Sequence, residues 1–394
     1  MTHTQAFDHW IRNEFIQLNT ELEQRYFAQE DRANVEGIGD EIKAAMERQG
    51  REHVTRLLAE GNTDQGFDAN FDLLGNVGMY MAACRRHDLT EPSRESSSPL
   101  KEASALALHI GASLGVTPRF ATSHLTTHCL AKQGQPKRFT SLEDEALFID
   151  FNTLAVLAYK RAADALVRIL PMGISHPVAP YLLEDARLAL VDVARWNRVL
   201  FERLAPERFF HSVRPYYKPF RVGQHEYRGA NAGDFAGINV IDMLLGLCQA
   251  NNPFYSQLLV DKFLYMMPED QRLLRDVMRR PSFLDQLLEV PVSQQQSAWY
   301  REVASKFLQV LDAHGHTAHQ HHDQLVSRFI SSPSATMAKK HLAQVTASGP
   351  PLEVLLRSLE KLRDLRMAAE RDDIPSRFRD VATLRASVAD GAQR

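Results

Sequence analysis

Cysteine is scarce: Cys84, Cys129 and Cys248 are the only three in 394 residues, set far apart and in no CxxC or CxxCH arrangement. That excludes a disulfide framework, suits a reducing cytoplasm, and argues against a prosthetic group joined through a CxxCH thioether. An excess of one charge is also missing. The 46 Lys and Arg nearly balance 49 Asp and Glu, leaving a formal net charge of −3, with no electrostatic case for binding nucleic acid or an anionic membrane. No apolar run approaches the roughly 20 residues that span a bilayer. The N-terminal MTHTQAFDHWIRNEF is amphipathic, carries acidic residues, and has no signal-peptide core, so a cytoplasmic protein is expected. A dinucleotide fingerprint is absent too: Gly229, Gly233 and Gly237 follow a GxxxGxxxG spacing with no preceding strand or βαβ unit.

What is present reads almost wholly helical, in a chain long enough to bury one large core and a smaller one. Apolar residues recur at helical period over residues 4–30, 38–60 and 67–88, divided by glycine-containing breaks. Residues 88–103 are charged and rich in Ser and Pro, as an exposed loop or link would be. Helices over 101–114 and 118–131 precede the polar break KQGQPKRFTS. Over 144–170, Leu147, Phe148, Phe151, Leu154, Ala155, Ala158, Ala162, Ala165, Leu166 and Ile169 share one face, and Pro171 ends the helix. Core packing accounts for most of that stripe, while its alanines would let another group approach closely. A further helix over 182–213 should end at Arg214-Pro215. Arg214 is then either a cap on the helix dipole or a bidentate clamp for a carboxylate. In EYRGANAGDFAGINVIDMLLGLC, small residues would let backbone approach a ligand before a helix over 238–247. The expected fold is an all-α bundle with a smaller helical region, residues 1–115, before a main domain, 116–394.

Five histidines fall within nine residues: His314, His316, His319, His321 and His322. Counted from His322, Leu325, Val326 and Phe329 lie at i+3, i+4 and i+7, so helical periodicity puts His322 alone on the buried face. Ala318 and Gly315, one and two turns earlier, would leave a flat surface beside its imidazole. Haem held by one axial histidine would use such a surface. A hydrogen-bonded core histidine is the ordinary alternative. A zinc or nickel site is another, but its i,i+4 partner is missing because residue 318 is alanine. His316 and His321 point away and should be solvated.

Three blocks add a resemblance. FFHSV before Arg214, the loop YRGANAGDFAGINVIDMLLGL, and HHDQLVSRFI stand in the order and spacing of the indoleamine 2,3-dioxygenase family. Through the PYYKPFRVG-type wording the chain looks still more like the monodechloroaminopyrrolnitrin synthase branch of the haem-dependent aromatic oxygenase superfamily. The resemblance spans roughly residues 116–356. It implies haem b, bound without a covalent link, with His322 as proximal ligand to the iron and His319 and Asp242 on the propionate side. It implies that Arg214 binds a substrate carboxylate, with Phe209 beside the aromatic ring and Asn231, Ala232 and Gly233 in a loop at the haem edge. Phe151 and Ala155 would face oxygen and substrate, and His124 would be a distal-side histidine. Three positions depart from the pattern: Ala155 replaces a serine, His319 replaces an arginine, and the glycine-rich closing loop is reduced to TASGPP, residues 346–351.

The activity implied is transfer of dioxygen-derived oxygen to an indole or other aromatic amino-acid-like substrate. A hydroxylation or oxidative rearrangement of a modified tryptophan is the alternative, and a non-catalytic haem or gas-binding protein lies further off. The partners implied are dioxygen and a small aromatic molecule, with no nucleic acid and no membrane; a homo-oligomer is left open.

Overall fold

The computed structural model describes residues 1–61, 65–332 and 352–390, and TASGPP lies outside them. Helices account for nearly all the regular structure. In chain order they are α1 (His3–Arg12), α2 (Glu14–Phe27), α3 (Asp40–Glu60), α4 (Phe67–Arg86), α5 (Lys101–Leu114), α6 (Thr122–Thr127), α7 (Glu143–Ile169) and α8 (Ala179–Arg203). After a short turn α9 (Pro206–Arg208) come α10 (Ala236–Leu244), α11 (Pro253–Phe263), α12 (Pro268–Val277), α13 (Phe283–Leu288), α14 (Ala298–Gln320), α15 (Leu352–Arg366) and α16 (Phe378–Asp390). The one sheet among the described residues is an antiparallel hairpin of β1 (Phe220–Val222) and β2 (His225–Tyr227), so the all-α expectation is met. No described helix is long and apolar enough to cross a membrane.

The chain forms two compact units, each discontinuous in sequence. The first holds Met1–Asp150, Arg203–Asp234 and Arg328–Leu355; the second holds Phe151–Glu202, Phe235–Ser327 and Leu356–Arg394. None of these boundaries falls at residue 115, where a single cut was expected. In the first unit, α4 carries GNVGMY so that another segment can cross it closely. A Cβ at Gly75 would come within 2.7 Å of the His124 ring, so glycine is what admits that ring. A buried ion pair ties α2 to α4, with Arg86 donating to both carboxylate oxygens of Glu23 at 2.7 and 2.9 Å.

The second unit is built on one extended apolar cluster. The small face of α7 (Ala162, Ala165, Leu166, Ile169) meets Leu183, Ala186 and Leu190 of α8, Val240 and Ile241 of α10, and Phe307 and Leu311 of α14. Leu362, Leu365 and Leu384 bring α15 and α16 into the same cluster.

Several helix limits differ from the sequence expectation, and the helix expected over 118–131 is only Thr122–Thr127. The first helix breaks at Asn13, whose backbone (φ −125°, ψ −88°) is not helical. α8 ends at Arg203 rather than running to 213, because Pro206 forces Ala205 into an extended conformation (ψ 117°). The chain beyond it is a π-helical turn, Phe209–Val213, followed by the 3-10 turn Arg214–Tyr217. The long C-terminal helix likewise changes from α to π at His321, and the π-helical stretch runs to Ser331.

Candidate functional site

His322 lies within a π-helical stretch and Arg214 directly follows one. Such stretches are uncommon and frequent at functional sites. In the second unit, His322 is the first residue but one of its π segment and keeps 18 % of its side chain exposed. Its Nδ1 lies 2.6 Å from Asp323 Oδ1. Asp323 also receives His319 Nδ1 at 2.5 Å and the Arg363 guanidinium at 3.1 Å. Arg363 Nη1 is 3.2 Å from the same His322 nitrogen. A bare lone pair there would face a carboxylate at the shorter distance, so Nδ1 carries the proton and donates to Asp323. Nε2 then holds the lone pair, and it has no hydrogen bond among the described residues. One ring nitrogen held by a carboxylate and the other left open is the condition of a metal-ligating histidine, so His322 fits a haem iron.

The other expectations for this histidine run are corrected in part. His314, not His322, is the most buried of the five, at 1 % exposure. Its Nε2 donates to Asp242 Oδ1 at 2.7 Å, and its Nδ1 has no partner among the described residues. Val310, Leu311, Thr317 and Ala318, all buried, surround it at helical spacing, a periodicity legible in the sequence. Gly315 does not open a surface for a flat ligand. A Cβ there would meet the Arg366 carbonyl and the Met367 Cα at 3.3 Å, so the glycine seats the end of α15. His316 and His321 are exposed as expected.

His319 does not meet Asp242. It lies 52 % exposed on Asp323, and the arginine that the motif lacks is supplied to Asp242 from elsewhere in the chain. Arg366 of α15 binds the Asp242 carboxylate with two parallel hydrogen bonds, 2.9 and 2.8 Å. Tyr255 Oη adds a third donor at 2.8 Å and itself accepts from Asn239. Asp242 is therefore fully occupied by protein groups. No local pattern could have revealed Arg366, which follows it by 124 residues.

Phe151 and Ala155 also belong to the second unit. Phe151 leans on Trp196 with ring centroids 5.8 Å apart. Ala155 is buried with Ala158 against Val193, so the small stripe of α7 serves helix packing at this point.

In the first unit, Arg214 is half-buried and makes neither a hydrogen bond nor an ion pair among the described residues. Its guanidinium sits 5.3 Å from the centre of the Phe210 ring. Burial, with no counter-charge to offset it, pulls its pKa down to about 10. Lys218 is pushed to about 7, by burial first and then by the positive charges of Arg85, Arg86 and Arg214. Arg85 and Arg86 are themselves paired, with Glu91 and Glu23. Phe209 is buried between Phe148 (5.0 Å) and Phe329 (5.9 Å, edge to face). The loop of Asn231, Ala232 and Gly233 is fixed at its base. Asn231 Oδ1 accepts from the Gly233 N–H at 2.9 Å, Thr122 Oγ1 donates to the Asn231 carbonyl, and Asp234 is ion-paired with Arg119 at 2.8 Å and with Arg228.

His124 has a different character from the distal role expected of it. Nδ1 accepts from the Ala121 N–H and Nε2 donates to the Phe71 carbonyl, both at 2.9 Å. Its ring stacks on Phe71 at 3.8 Å. Both nitrogens are committed to backbone partners, as in a core histidine, and burial pushes its pKa well down.

A helical chain with an open axial-type histidine and a half-buried arginine that has no ion pair among the described residues falls in the class of haem-dependent oxidoreductases. The family model described as monodechloroaminopyrrolnitrin synthase PrnB matches residues 1–388, and the chain belongs to that family. Its members are haem-dependent enzymes that act on a tryptophan-derived substrate.

Proposed function

We propose that this chain binds haem b non-covalently through His322 Nε2 and oxidises an aromatic amino acid of the tryptophan type. The observation that carries the reading is the asymmetry of the His322 ring, one nitrogen bound to Asp323 and the other open. Haem, when bound, supplies the dioxygen chemistry; the protein supplies binding, orientation and a dry environment. Arg214 holds the substrate carboxylate, its lack of a hydrogen bond or ion pair among the described residues leaving the guanidinium available. Phe209 and the 231–233 loop set the shape offered to the ring, and Phe151 and Ala155 are assigned to the distal side. His124 is left out of the catalytic set, because both its nitrogens are already used.

Within this reading the family match favours an oxidative rearrangement of the indole skeleton over simple insertion of two oxygen atoms. Product mass separates them: two oxygens gained with ring opening for dioxygenation, one oxygen or a rearranged skeleton for the alternative. Protein reconstituted with hemin is expected to show a Soret band that shifts with carbon monoxide after reduction. His322→Ala should lose that spectrum, and an unchanged spectrum and iron content would remove His322 as the ligand.

The charged end of the substrate gives a second expected result. A charge-assisted hydrogen bond contributes roughly 1.5–3 kcal/mol, so Arg214→Ala should weaken binding of an aromatic amino acid about ten- to a hundred-fold with haem content unchanged. An indole-ethylamine lacking the carboxylate should be affected far less. Equal losses for the two ligands, by spectral titration, would make Arg214 a structural residue.

A further inference from the structure

We infer that Asp323 is the positioning residue of the axial ligand: it fixes the tautomer and ring orientation of His322 and increases the donor strength of Nε2 toward iron. The inference rests on the reading of His322 as that ligand. Asp323 lies one residue along the same π-helical stretch, with Oδ1 2.6 Å from His322 Nδ1. A carboxylate at that distance draws the Nδ1 proton toward itself, which leaves more electron density at Nε2. The carboxylate is not free to swing away. Its second oxygen receives His319 Nδ1 at 2.5 Å, and Arg363 of α15 reaches the first at 3.1 Å. Arg363 is anchored in turn by Asp364 at 2.8 Å. Four side chains thus form one chain of contacts, Asp364–Arg363–Asp323–His322, with His319 bracing it from the preceding helical turn.

The arrangement also gives His319 a role. The resemblance put it on the propionate side, whereas here it holds the carboxylate that holds the ligand. Arg363 places positive charge on Asp323 and His319 donates a hydrogen bond to it, and both limit how much negative character reaches the imidazole. The network therefore sets the electron density at the iron as well as the ring angle, and a stronger donor stabilises ferric over ferrous iron.

The test uses full-length protein reconstituted with hemin and two substitutions. Asp323→Asn keeps the size and a hydrogen-bond acceptor but removes the charge; Asp323→Ala removes both. Asp323→Ala is expected to weaken hemin binding about ten- to a hundred-fold, the usual cost of losing such a partner. Asp323→Asn should retain most of the affinity and show a more positive ferric/ferrous potential and a lower iron–histidine stretching frequency than the parent. A purely structural Asp323 would not move the potential or the frequency of the isosteric variant. Parent values of potential and frequency in Asp323→Asn, beside a lost Soret band in His322→Ala, would overturn this inference alone. An unchanged spectrum in His322→Ala would overturn it together with the ligand assignment.

Discussion

Asp242→Ala is expected to lose about 3–5 kcal/mol of stability, the cost of stranding one member of a buried ion pair. The carboxylate has no exposed surface, and Arg366, His314 and Tyr255 all point their donors at it. Removing it leaves the Arg366 guanidinium without its bidentate partner. A shift of the urea midpoint at pH 7 measures the loss, and a change under about 1 kcal/mol would contradict the burial argument. Asp242→Ala combined with Arg366→Met should recover part of it, since a matched apolar pair strands no charge. The same carboxylate gives an acid limb. Burial alone would raise its pKa, but Arg366 and the hydrogen bond from His314 outweigh burial and hold it below the ordinary range. A carboxyl depressed in the folded state contributes stability that is fully present above its unfolded value, about 4, and is lost as pH falls through the folded value. The substituted protein should therefore lack this part of the acid destabilisation.

Asp234→Ala should have an effect of similar size in the first unit, about 3–5 kcal/mol. Arg119 and Asp234 are both buried, and Arg228 binds the other carboxylate oxygen. This loss should also show locally. The Asp234 side chain ties the end of the 231–234 turn to Arg119 and Arg228, so amide exchange across residues 229–234 should speed up under native conditions. Global destabilisation with no added local exchange would mean that the loop is held by Thr122 and its own turn geometry instead.

The helices legible in the sequence were those whose stability rests on a long apolar face with marked ends. α3, α5 and α7 begin and end within about two residues of their expected limits. The failures share a cause. Pro206 interrupts an otherwise continuous pattern, and an α-helical wheel applied to residues 321–331 assumes an α-helix that changes to π there. The site divides the same way. Arg214 stood out through its proline and aromatic neighbours, and His322 through its motif. Arg366, Arg363 and Tyr255 are ordinary residues whose roles come only from distant chain packing, which no window of sequence contains. Gly315 was noticed for the right property, its missing side chain, and given the wrong neighbour, because periodicity locates a face without saying what covers it.

The π-helical stretch at His321–Ser331 sets its own register. A π turn bonds each N–H to the carbonyl five residues back instead of four, so it accommodates an additional residue along nearly the same length of axis. An α-helix turns about 100° per residue, and reversion to α geometry would rotate later side chains relative to those of α14. The orientation of His322 relative to Val326, four residues on in the same unit, is therefore held by a locally costly backbone as well as by side-chain contacts. A one-residue deletion in this stretch would be a change of angle more than a change of length.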